Sequence, residues 1–353
     1  MTARQIAFRV LLRVEKGGYA SDLLRRESQA IDPREASLAE TIVFGDLRRQ
    51  AQLDFLIDHF SGKLQRKLDP EVRIALRMGI YQLRFLDRIP AHAAVSESVE
   101  LVKLSRKRSA APFVNAVLRK VDRTEVAWPG RAIELNAPEW MLARWESQYG
   151  RELAEGIARA ALDEPKSYIN PETGRQQDIG AQSIVPLLDL RPGMTLLDLC
   201  AAPGNKTAQA IAAGAWVVAC DRYESRLASV PSEAARVVLD ATQPLPFASG
   251  NQATFDRILI DAPCSGTGTL ARNPEIKWRL KLEDLAEFQK RQRRMIELAL
   301  PLLKSGGRMV YATCSLEREE NEDAVAGFEV REMHHRIPGR DEGDGFFAAV
   351  IYS

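Results

Sequence analysis

The sequence predicts a multidomain protein of the α + α/β class, in which a helical bundle precedes a doubly wound parallel sheet. Residues 1–125 place apolar side chains at helical spacing almost throughout. After residue 183, short apolar runs rich in β-branched residues alternate with helical patterns, which is typical of a parallel sheet. The interval 126–182 reads as a helical connector followed by a polar segment. We therefore expect three segments: 1–125, 126–182 and 183–353.

Composition and length set the broad class. A chain of 353 residues with 27% charged and 45% hydrophobic residues is an ordinary globular protein, long enough for several cores. No apolar run approaches the roughly 20 residues of a membrane span, and the basic start lacks the apolar stretch of a signal peptide. We expect a cytoplasmic protein that acts as a monomer away from membranes.

The near-zero net charge hides an asymmetry between the two ends. Residues 1–125 hold 23 Lys and Arg against 16 Asp and Glu, whereas the remainder holds 26 against 32. A basic front end suggests a nucleic-acid-binding arm. A solvated helical surface explains the same excess equally well, so the charge leaves both interpretations open.

The helices predicted in residues 1–125 are short and amphipathic. Asp69 and Pro70 mark one helix start, since they provide an N-cap and a proline at the first helical position. Basic clusters at 62–67 (GKLQRK) and 103–109 (KLSRKRS) lie at predicted helix ends and suit phosphate contacts. The apolar stripe of the helix that Asp69 caps consists of Val72, Leu76, Ile80 and Leu83.

The connector contains one well-marked helix. Ala137 and Pro138 precede its start, and Tyr149 and Gly150 mark its end. The composition then becomes polar and rich in Gly and Pro over 165–182, which predicts a loop.

The final segment carries the strands. A helical pattern over 283–303 connects the last two predicted strands of the parallel sheet. Residues 346–352 can add an edge strand through a hairpin, which would make the sheet mixed. The parallel strands are predicted at 195–200, 215–221, 236–240, 255–260 and 307–315.

The first of these strands runs into a tight loop and a helix, LLDLCAAPGNKTAQAIA (196–212). This loop is not a P-loop, because that motif needs glycine directly before its lysine and this chain has Asn205 before Lys206. The G-x-G-x-x-G spacing of dinucleotide-binding folds is also missing. An apolar strand end with a single glycine suits a ligand without phosphates.

Acidic residues follow the successive strands. Asp221 and Asp240 come where an acid can hold ribose hydroxyls or an adenine amino group, and Asp198 and Asp261 lie at two further strand ends. A nucleoside without phosphate at such a sheet indicates S-adenosylmethionine. Aspartate also ends strands as a turn former, but four in succession favour a binding site.

Two of the predicted strands end close to a thiol. The segment FDRILIDAPCSGTGTL (255–270) places Asp261 three residues before Cys264, and GRMVYATCS (307–315) ends near Cys314. Because ligands bind at the carboxyl ends of parallel strands, both thiols and the aspartate should share one pocket. The four cysteines have no C-x-x-C pair, and the four histidines have no ligand spacing, so neither zinc nor a disulfide framework is expected.

Two resemblances to known families connect these features. The phrases ARQIAFRVLLRVEKGGYASDLL, ETIVFGDLRRQAQLDFLI, MGIYQLRFLDRIPAHAAVSESVELVK and PFVNAVLRKV resemble the NusB-type helical RNA-binding domain. The pairing of DAPCSGTG with ATCSLEREENE resembles the Nol/Nop/Sun RNA cytosine-5 methyltransferases. Together they resemble the Fmu/RsmB-type branch, which implies a Rossmann-like methyltransferase sheet, S-adenosylmethionine without a metal, and 16S ribosomal RNA as substrate.

The resemblance also implies roles for individual residues. It places the attacking nucleophile on Cys314 and gives Cys264 a part in product release. Asp261 would contact the target base, and Lys206 would supply positive charge, since a free thiol with a pKa of about 8.5 needs help to ionise. The implied cofactor set is Cys200, Ala201, Ala202, Pro203, Gly204, Asn205, Lys206, Asp221, Arg226, Asp240 and Asp261.

This chain departs from the family pattern at two places. Asn205 replaces a second glycine, and we expect asparagine to tolerate a positive φ there. Only about twenty polar residues from Lys166 onward occupy the interval where the family carries a small RNA-binding module. The sequence thus predicts an RNA cytosine-5 methyltransferase acting on 16S ribosomal RNA, with transfer RNA or a non-catalytic RNA-binding assembly role as alternatives.

Overall fold

The computed structural model describes residues 1–29, 31–247 and 254–352. These residues form two compact units. The first contains residues 1–164 together with 270–279, and the second contains 165–269 and 280–353. The three-segment division made from the sequence stays a prediction.

Sixteen helices are described. Their bounds are α1 (Ala3–Val14), α2 (Ala20–Glu27), α3 (Pro33–Arg48), α4 (Gln50–Ser61), α5 (Pro70–Phe85), α6 (Ala91–Leu104), α7 (Ala111–Leu118), α8 (Arg131–Glu134), α9 (Glu139–Tyr149), α10 (Arg151–Ala160), α11 (Ile179–Gln182), α12 (Asn205–Ala212), α13 (Glu224–Leu227), α14 (Ile276–Arg279), α15 (Asp284–Ala299) and α16 (Glu322–Val325).

The first unit is helical, as predicted. Its core is formed by one apolar face of each of α1 to α7. Thr2 caps α1 in a capping box with Gln5, and Asp32 caps α3 ahead of Pro33. Asp69 occupies the predicted N-cap position of α5 but makes no capping bond there. Its carboxylate lies 2.9 Å from Lys107, in the second basic cluster.

The short segment 270–279 belongs to the first unit, which the sequence did not predict. Glu275 is buried and accepts a hydrogen bond of 3.0 Å from the Ala20 amide at the start of α2. Arg279 donates to the Val14 carbonyl over 2.8 Å. Charged side chains, rather than an apolar stripe, therefore hold this excursion in place.

The second unit is built on a seven-stranded sheet in the order β3-β2-β1-β4-β5-β7-β6. The first five strands pair in parallel, as predicted, with helices between them. Apolar clusters cover the sheet on both faces. The strands are β1 (Thr195–Asp198), β2 (Trp216–Asp221), β3 (Ala235–Val238), β4 (Phe255–Asp261), β5 (Leu303–Thr313), β6 (Val330–Arg336) and β7 (Phe346–Tyr352).

The antiparallel end of the sheet differs in part from the prediction. β7 makes the sheet mixed and belongs to a hairpin, as expected. Its predicted edge position is wrong, because β7 pairs with β5 on one side and β6 on the other. The edge is formed by β6, whose polar sequence VREMHHR is largely exposed and gives little apolar signal.

The polar interval 165–182 is more ordered than the predicted loop. Ile169 and Gln176 form an isolated antiparallel bridge, closed by a 2.8 Å bond from the Asn170 amide to the Arg175 carbonyl. The helical turn α11 begins three residues later, capped by the Asp178 side chain. The loop prediction is therefore confirmed over 165–178, apart from this isolated bridge, and wrong at α11.

Membrane-spanning helices and clustered metal ligands are both absent from the residues that the structure describes. None of the helices there combines the length and apolar character needed to cross a bilayer. Nor do three or more His, Cys, Asp or Glu side chains in these ranges converge as metal ligands would.

One buried carboxyl group in the first unit lacks hydrogen bonds that would offset its loss of hydration. Asp46 in α3 is fully buried, and neither of its oxygens has a hydrogen-bond partner among the described residues. Its neighbour Arg77 is engaged by Asp54, with bonds of 2.6 and 2.7 Å, and by Glu15. Burial therefore raises the pKa of Asp46 to about 8.

This carboxyl should make stability depend on pH. An aspartate in the unfolded chain ionises near pH 3.9, whereas buried Asp46 holds its proton to about pH 8. The contribution of Asp46 to the free energy of unfolding should thus be highest below pH 4 and fall as the pH rises from 4 to 8. Asp46→Asn should abolish that fall and gain on the order of 1–3 kcal/mol at pH 8 relative to the wild type.

Chemical unfolding of both proteins at pH 4.5 and pH 8 measures this difference. Asp163→Asn, at an exposed position of the same unit, is the matched control. An effect of Asp46→Asn that is equal at the two pH values would contradict the expectation.

Candidate active site

The centre of the site lies where the sheet reverses its winding, between β1 and β4. Strands wound in opposite directions leave a crevice at their carboxyl ends, where ligands bind in such folds. Lys206, in the first turn of α12 after β1, reaches across this crevice to Asp261 at the end of β4. Its Nζ lies 2.6 Å from the Asp261 Oδ2, and it also lies 5.4 Å from the centre of the Phe346 ring.

The loop between β1 and α12 is tight and buried. The Gly204 amide donates to the Ala201 carbonyl over 2.7 Å, and the Ala201 amide donates to Cys220 in β2 over 2.8 Å. Ala201 and Ala202 are buried, Pro203 is exposed and follows a cis peptide bond, and Cys200 is half-buried. The predicted cofactor loop is thus fixed against the neighbouring strand.

Gly204, rather than Asn205, takes the unusual backbone conformation. Gly204 has φ of +94°, and Asn205 begins α12 with its side-chain amide donating to the Gln176 carbonyl over 3.0 Å. The expectation that residue 205 needs a positive φ is therefore wrong. Asparagine is accommodated because this position is helical and its side chain finds a partner in the hairpin that contains residues 169–176.

Two arginines donate hydrogen bonds to backbone carbonyls of this loop, and one of them was not predicted from the sequence. Arg175 donates to the Gly204 and Ser229 carbonyls, each over 3.1 Å. Arg226, a predicted cofactor residue, donates to the Ala202 carbonyl over 3.3 Å and lies 3.6 Å from Asp221. Arg175 gave no sequence signal, since it stands alone in a polar segment.

The predicted acids lie at the carboxyl ends of four adjacent strands. Asp221 accepts a 3.0 Å bond from the Tyr223 amide, and Asp240 accepts bonds of 2.9 and 2.6 Å from Thr242. Both are therefore turn formers, which was the competing interpretation, yet each also faces an arginine. The hydrogen bonds from Thr242 lower the pKa of Asp240.

Asp198 has a different environment at the end of β1. It is buried and accepts a 2.7 Å bond from the Thr207 hydroxyl in α12. Burial raises its pKa to about 7, so this carboxyl holds a proton more strongly than an exposed aspartate. It is suited to fixing α12 against the sheet.

The two predicted reactive thiols meet at the ends of β4 and β5. The Cys264 and Cys314 sulfurs lie 3.4 Å apart, within hydrogen-bond distance for sulfur. That hydrogen bond and burial raise the pKa of Cys264 well above its ordinary value. Both effects favour the protonated form of Cys264, and either sulfur can be the donor in this contact.

A buried polar network behind these thiols was not predicted. Glu320 accepts hydrogen bonds from Ser265 and Ser315, the residues that directly follow the two cysteines. Gln292 in α15 donates to the same carboxylate over 3.0 Å. The repeated Cys-Ser pair was the available signal, but sequence alone does not connect it to an acid in the segment EREENE.

The fold and this site define the class: a helical bundle joined to a methyltransferase-type sheet with two neighbouring thiols at the carboxyl ends of its strands. Comparison with known families agrees. The NusB family model matches residues 1–123, and the model "16S rRNA methyltransferase RsmB/F" matches residues 185–335. Similarity to curated relatives extends over nearly the whole chain.

A ribosomal RNA small subunit methyltransferase B from Proteus mirabilis is 32% identical over 415 residues, covering 99% of this chain and 98% of the relative. The enzyme of the same name from Yersinia pseudotuberculosis is 31% identical with the same coverage. The chain therefore belongs to the RsmB/F family of methyltransferases with a NusB domain. Because 415 aligned residues exceed the 353 of this chain, the Proteus relative carries residues with no counterpart here.

Solved structures confirm the fold. The crystal structure of PH0851 has a TM-score of 0.79 at 20% identity, covering 99% of this chain and 98% of that one. A methyltransferase homolog protein from Pyrococcus horikoshii has a TM-score of 0.50 at 23% identity, covering 63% of this chain and 97% of that one. The predicted α + α/β class with its Rossmann-like sheet is confirmed.

Gly204 should be hard to replace, for two separable reasons. A Cβ added there would lie 2.7 Å from the Val230 Cα, and its φ of +94° is unfavourable for other residues. Gly204→Ala should lower the free energy of unfolding by on the order of 3 kcal/mol, measured by denaturant titration of the full chain.

Gly174→Ala provides the matched control in the same unit. Gly174 also has a positive φ, +66°, but an added Cβ would meet nothing within 4 Å. It should cost about 1 kcal/mol from backbone strain alone. Equal losses in the two variants would mean that the contact with Val230 is relieved without cost.

Proposed function

We propose that this protein transfers a methyl group from S-adenosylmethionine to carbon 5 of a cytosine in RNA, with 16S ribosomal RNA as substrate. The observation that carries the proposal is the thiol pair: Cys264 and Cys314 lie 3.4 Å apart at the ends of adjacent strands. Membership of the RsmB/F family supports the methyltransferase class. Carbon 5 of cytosine is a poor nucleophile, so its methylation needs a thiol that adds to the ring.

The crevice residues fit S-adenosylmethionine by the chemistry of their donors. Asp221 and Asp240 suit ribose hydroxyls and an adenine amino group, since each carboxylate has lone pairs beyond those used in its turn. The Cys200–Lys206 loop, with Arg226 beside it, suits a ligand that carries no phosphate. When bound, this cofactor supplies a methyl group on a positively charged sulfur.

Cys314 would act as the nucleophile. Its thiolate adds to carbon 6 of the cytosine, forming an S–C6 bond and moving the ring electron pair to carbon 5, which then accepts the methyl group. Lys206 supports ionisation in this pocket, and Asp261, held 2.6 Å from Lys206, would hydrogen-bond the N3 and N4 edge of the base. A cytosine in a duplex would be flipped out at a cost of a few kcal/mol.

Cys264 would assist release. After methylation, water acting as a base would take the proton from carbon 5, and the returning electron pair would break the S–C6 bond and restore the Cys314 thiolate. The net change replaces the carbon-5 proton with a methyl group. Because Cys264 holds its proton strongly and lies against the Cys314 sulfur, it is placed to assist the departing thiolate.

The basic front end would bind RNA. Phosphate contacts through Lys and Arg release counterions and so give sequence-independent affinity. The two predicted clusters lie at helix ends, next to α4 and α6. Several of their cations already have partners, including Lys103 with Glu100 at 2.6 Å and Lys107 with Asp69 at 2.9 Å. RNA would compete with these exposed ion pairs at little cost.

The two thiols should give opposite results when removed. Cys314→Ala should be inactive and form no covalent complex with RNA, because no S–C6 bond can form. Cys264→Ala should accumulate a covalent protein–RNA complex when cofactor and unmodified 16S ribosomal RNA are supplied. A slow, RNase-sensitive band on a denaturing gel measures that complex, and bisulfite sequencing identifies the base.

Cys220→Ala is the control, since this buried thiol lies in β2 away from the pair. A covalent band with Cys314→Ala but not Cys264→Ala would reverse the two roles. Modification of transfer RNA alone would change the substrate, and absence of cofactor binding by calorimetry would favour a non-catalytic RNA-binding role.

Substitutions of Asp221 and Asp261 should separate cofactor binding from methyl transfer. Asp221→Ala should weaken S-adenosylmethionine binding by on the order of 1–3 kcal/mol, the usual cost of unpairing buried polar groups. Asp261→Ala should mainly slow single-turnover methyl transfer, since its contacts are proposed to be with the base and Lys206. Calorimetry and single-turnover rates measure the two effects, with the exposed Glu233→Ala as control. A pure loss of cofactor affinity in Asp261→Ala would remove the base contact.

A further inference from the structure

Glu320 occupies an unusual position between the two thiol-bearing loops. It follows β5 by seven residues, in a short turn, and its side chain is fully buried. Its Oε1 accepts the Ser265 amide over 2.8 Å, and its Oε2 accepts the hydroxyls of both Ser265 and Ser315. One carboxylate therefore links the residue after Cys264 to the residue after Cys314.

The carboxylate is itself held by the scaffold. Gln292 in α15 donates to Oε1 over 3.0 Å and to the Pro263 carbonyl over 3.1 Å. The Tyr311 hydroxyl in β5 donates to the Glu320 backbone carbonyl over 2.6 Å. Glu320 is thus tied to a strand, a helix and both loops, so it cannot move without moving them.

The donor pattern requires an acceptor at both oxygens. Four hydrogen atoms, from one amide, one side-chain amide and two hydroxyls, point at the carboxylate. An ionised carboxylate accepts all four as they stand, whereas a protonated acid or an amide fits only if the serine hydroxyls turn to accept from it. These bonds offset the desolvation that raises the pKa of Glu320.

The same contacts argue against a direct chemical role. A general base must reach the proton that it removes and must have a free lone pair. Glu320 is fully buried, and both of its oxygens are already occupied. Its influence on the reaction must therefore pass through Ser265 and Ser315.

We propose that Glu320 is a positioning residue that ties the two thiol-bearing loops together and so fixes the separation of Cys264 and Cys314. This inference rests on the proposed function, in which both thiols act on one base. With the tie intact, the sulfurs stay 3.4 Å apart. Without it, Ser265 and Ser315 lose their shared acceptor. The loops then remain linked by the direct contact of these two hydroxyls at 3.1 Å and by the 2.9 Å bond from the Gly268 amide to the Cys314 carbonyl, which hold the sulfurs less firmly.

Phenylarsine oxide tests the separation without any RNA or methyl transfer. Its arsenic bonds two nearby thiols, with loss of both thiol protons and of its oxygen as water, so its affinity reports how close the sulfurs are held. The full-length wild type should bind one equivalent tightly, and Cys264→Ala and Cys314→Ala should lose this binding. Glu320→Ala should weaken it at least tenfold.

Two further variants separate the tie from general stability. Glu320→Gln should stay within about threefold of the wild type, because its oxygen can replace Oε1 and the two hydroxyls can turn to accept from its amide. Ser315→Ala removes the link from Glu320 to the Cys314 loop, together with the contacts of the Ser315 hydroxyl with Ser265 and Glu317, and should weaken arsenical binding at least tenfold even if Glu320→Ala does not fold. Glu322→Gln, an acid two residues away that faces His335, is the matched control and should have no effect.

Kinetics provide the second measurement. Glu320→Ala and Ser315→Ala, where they fold, should bind S-adenosylmethionine within twofold of the wild type. They should transfer the methyl group at least tenfold more slowly in a single turnover. Arsenical affinity within twofold of the wild type in both Glu320→Ala and Ser315→Ala would overturn the positioning role. Absence of methyl transfer by the wild type would instead refute the proposed function and leave the arsenical result to decide the role of Glu320.

Discussion

The parallel pairing of β4 between β1 and β5 is the constraint on which the site depends. Because the three strands run in the same direction, their carboxyl ends meet at one edge of the sheet. Residues that lie 55 and 50 positions apart in sequence thereby come into contact, as Lys206 with Asp261 and Cys264 with Cys314. No local feature of the chain could bring these pairs together.

Sequence reasoning was most successful where a repeating apolar pattern determines structure. The helical front end and the parallel strands β1, β2, β4 and β5 were recognised because burial on one or both faces leaves a periodic signal. The largely exposed β3 was recognised from its β-branched residues Val237 and Val238. The edge strand β6 was missed because an exposed polar strand carries no such signal. The excursion 270–279 was missed because Glu275 and Lys277, residues that are rarely buried, lie at its centre.

The residues of the site, like the fold, were predicted in part. Positions that follow a strand, such as Asp221, Asp261 and Cys314, could be located because topology alone directs them to the crevice. Arg175 and Glu320 could not, since their importance arises from long-range hydrogen bonds to backbone and serine groups. The Asn205 error has a local cause: the resemblance suggested a glycine-like conformation, whereas the chain places the sharp turn one residue earlier, at Gly204.

Buried ionisable groups are compensated very differently in the two units. Glu320 receives four hydrogen bonds, so its burial rigidifies the segments that carry the reactive thiols. Asp46 receives no hydrogen bond within the described residues. Burial therefore raises its pKa and favours the protonated form. A carboxylate that accepts hydrogen bonds at both oxygens can hold the donor groups at fixed separations. A protonated carboxyl without hydrogen-bond partners holds no neighbouring group in place. The satisfied network lies directly behind Cys264 and Cys314. In the proposed reaction, which uses both sulfurs at one base, this position would matter because small displacements of reacting groups reduce rates steeply.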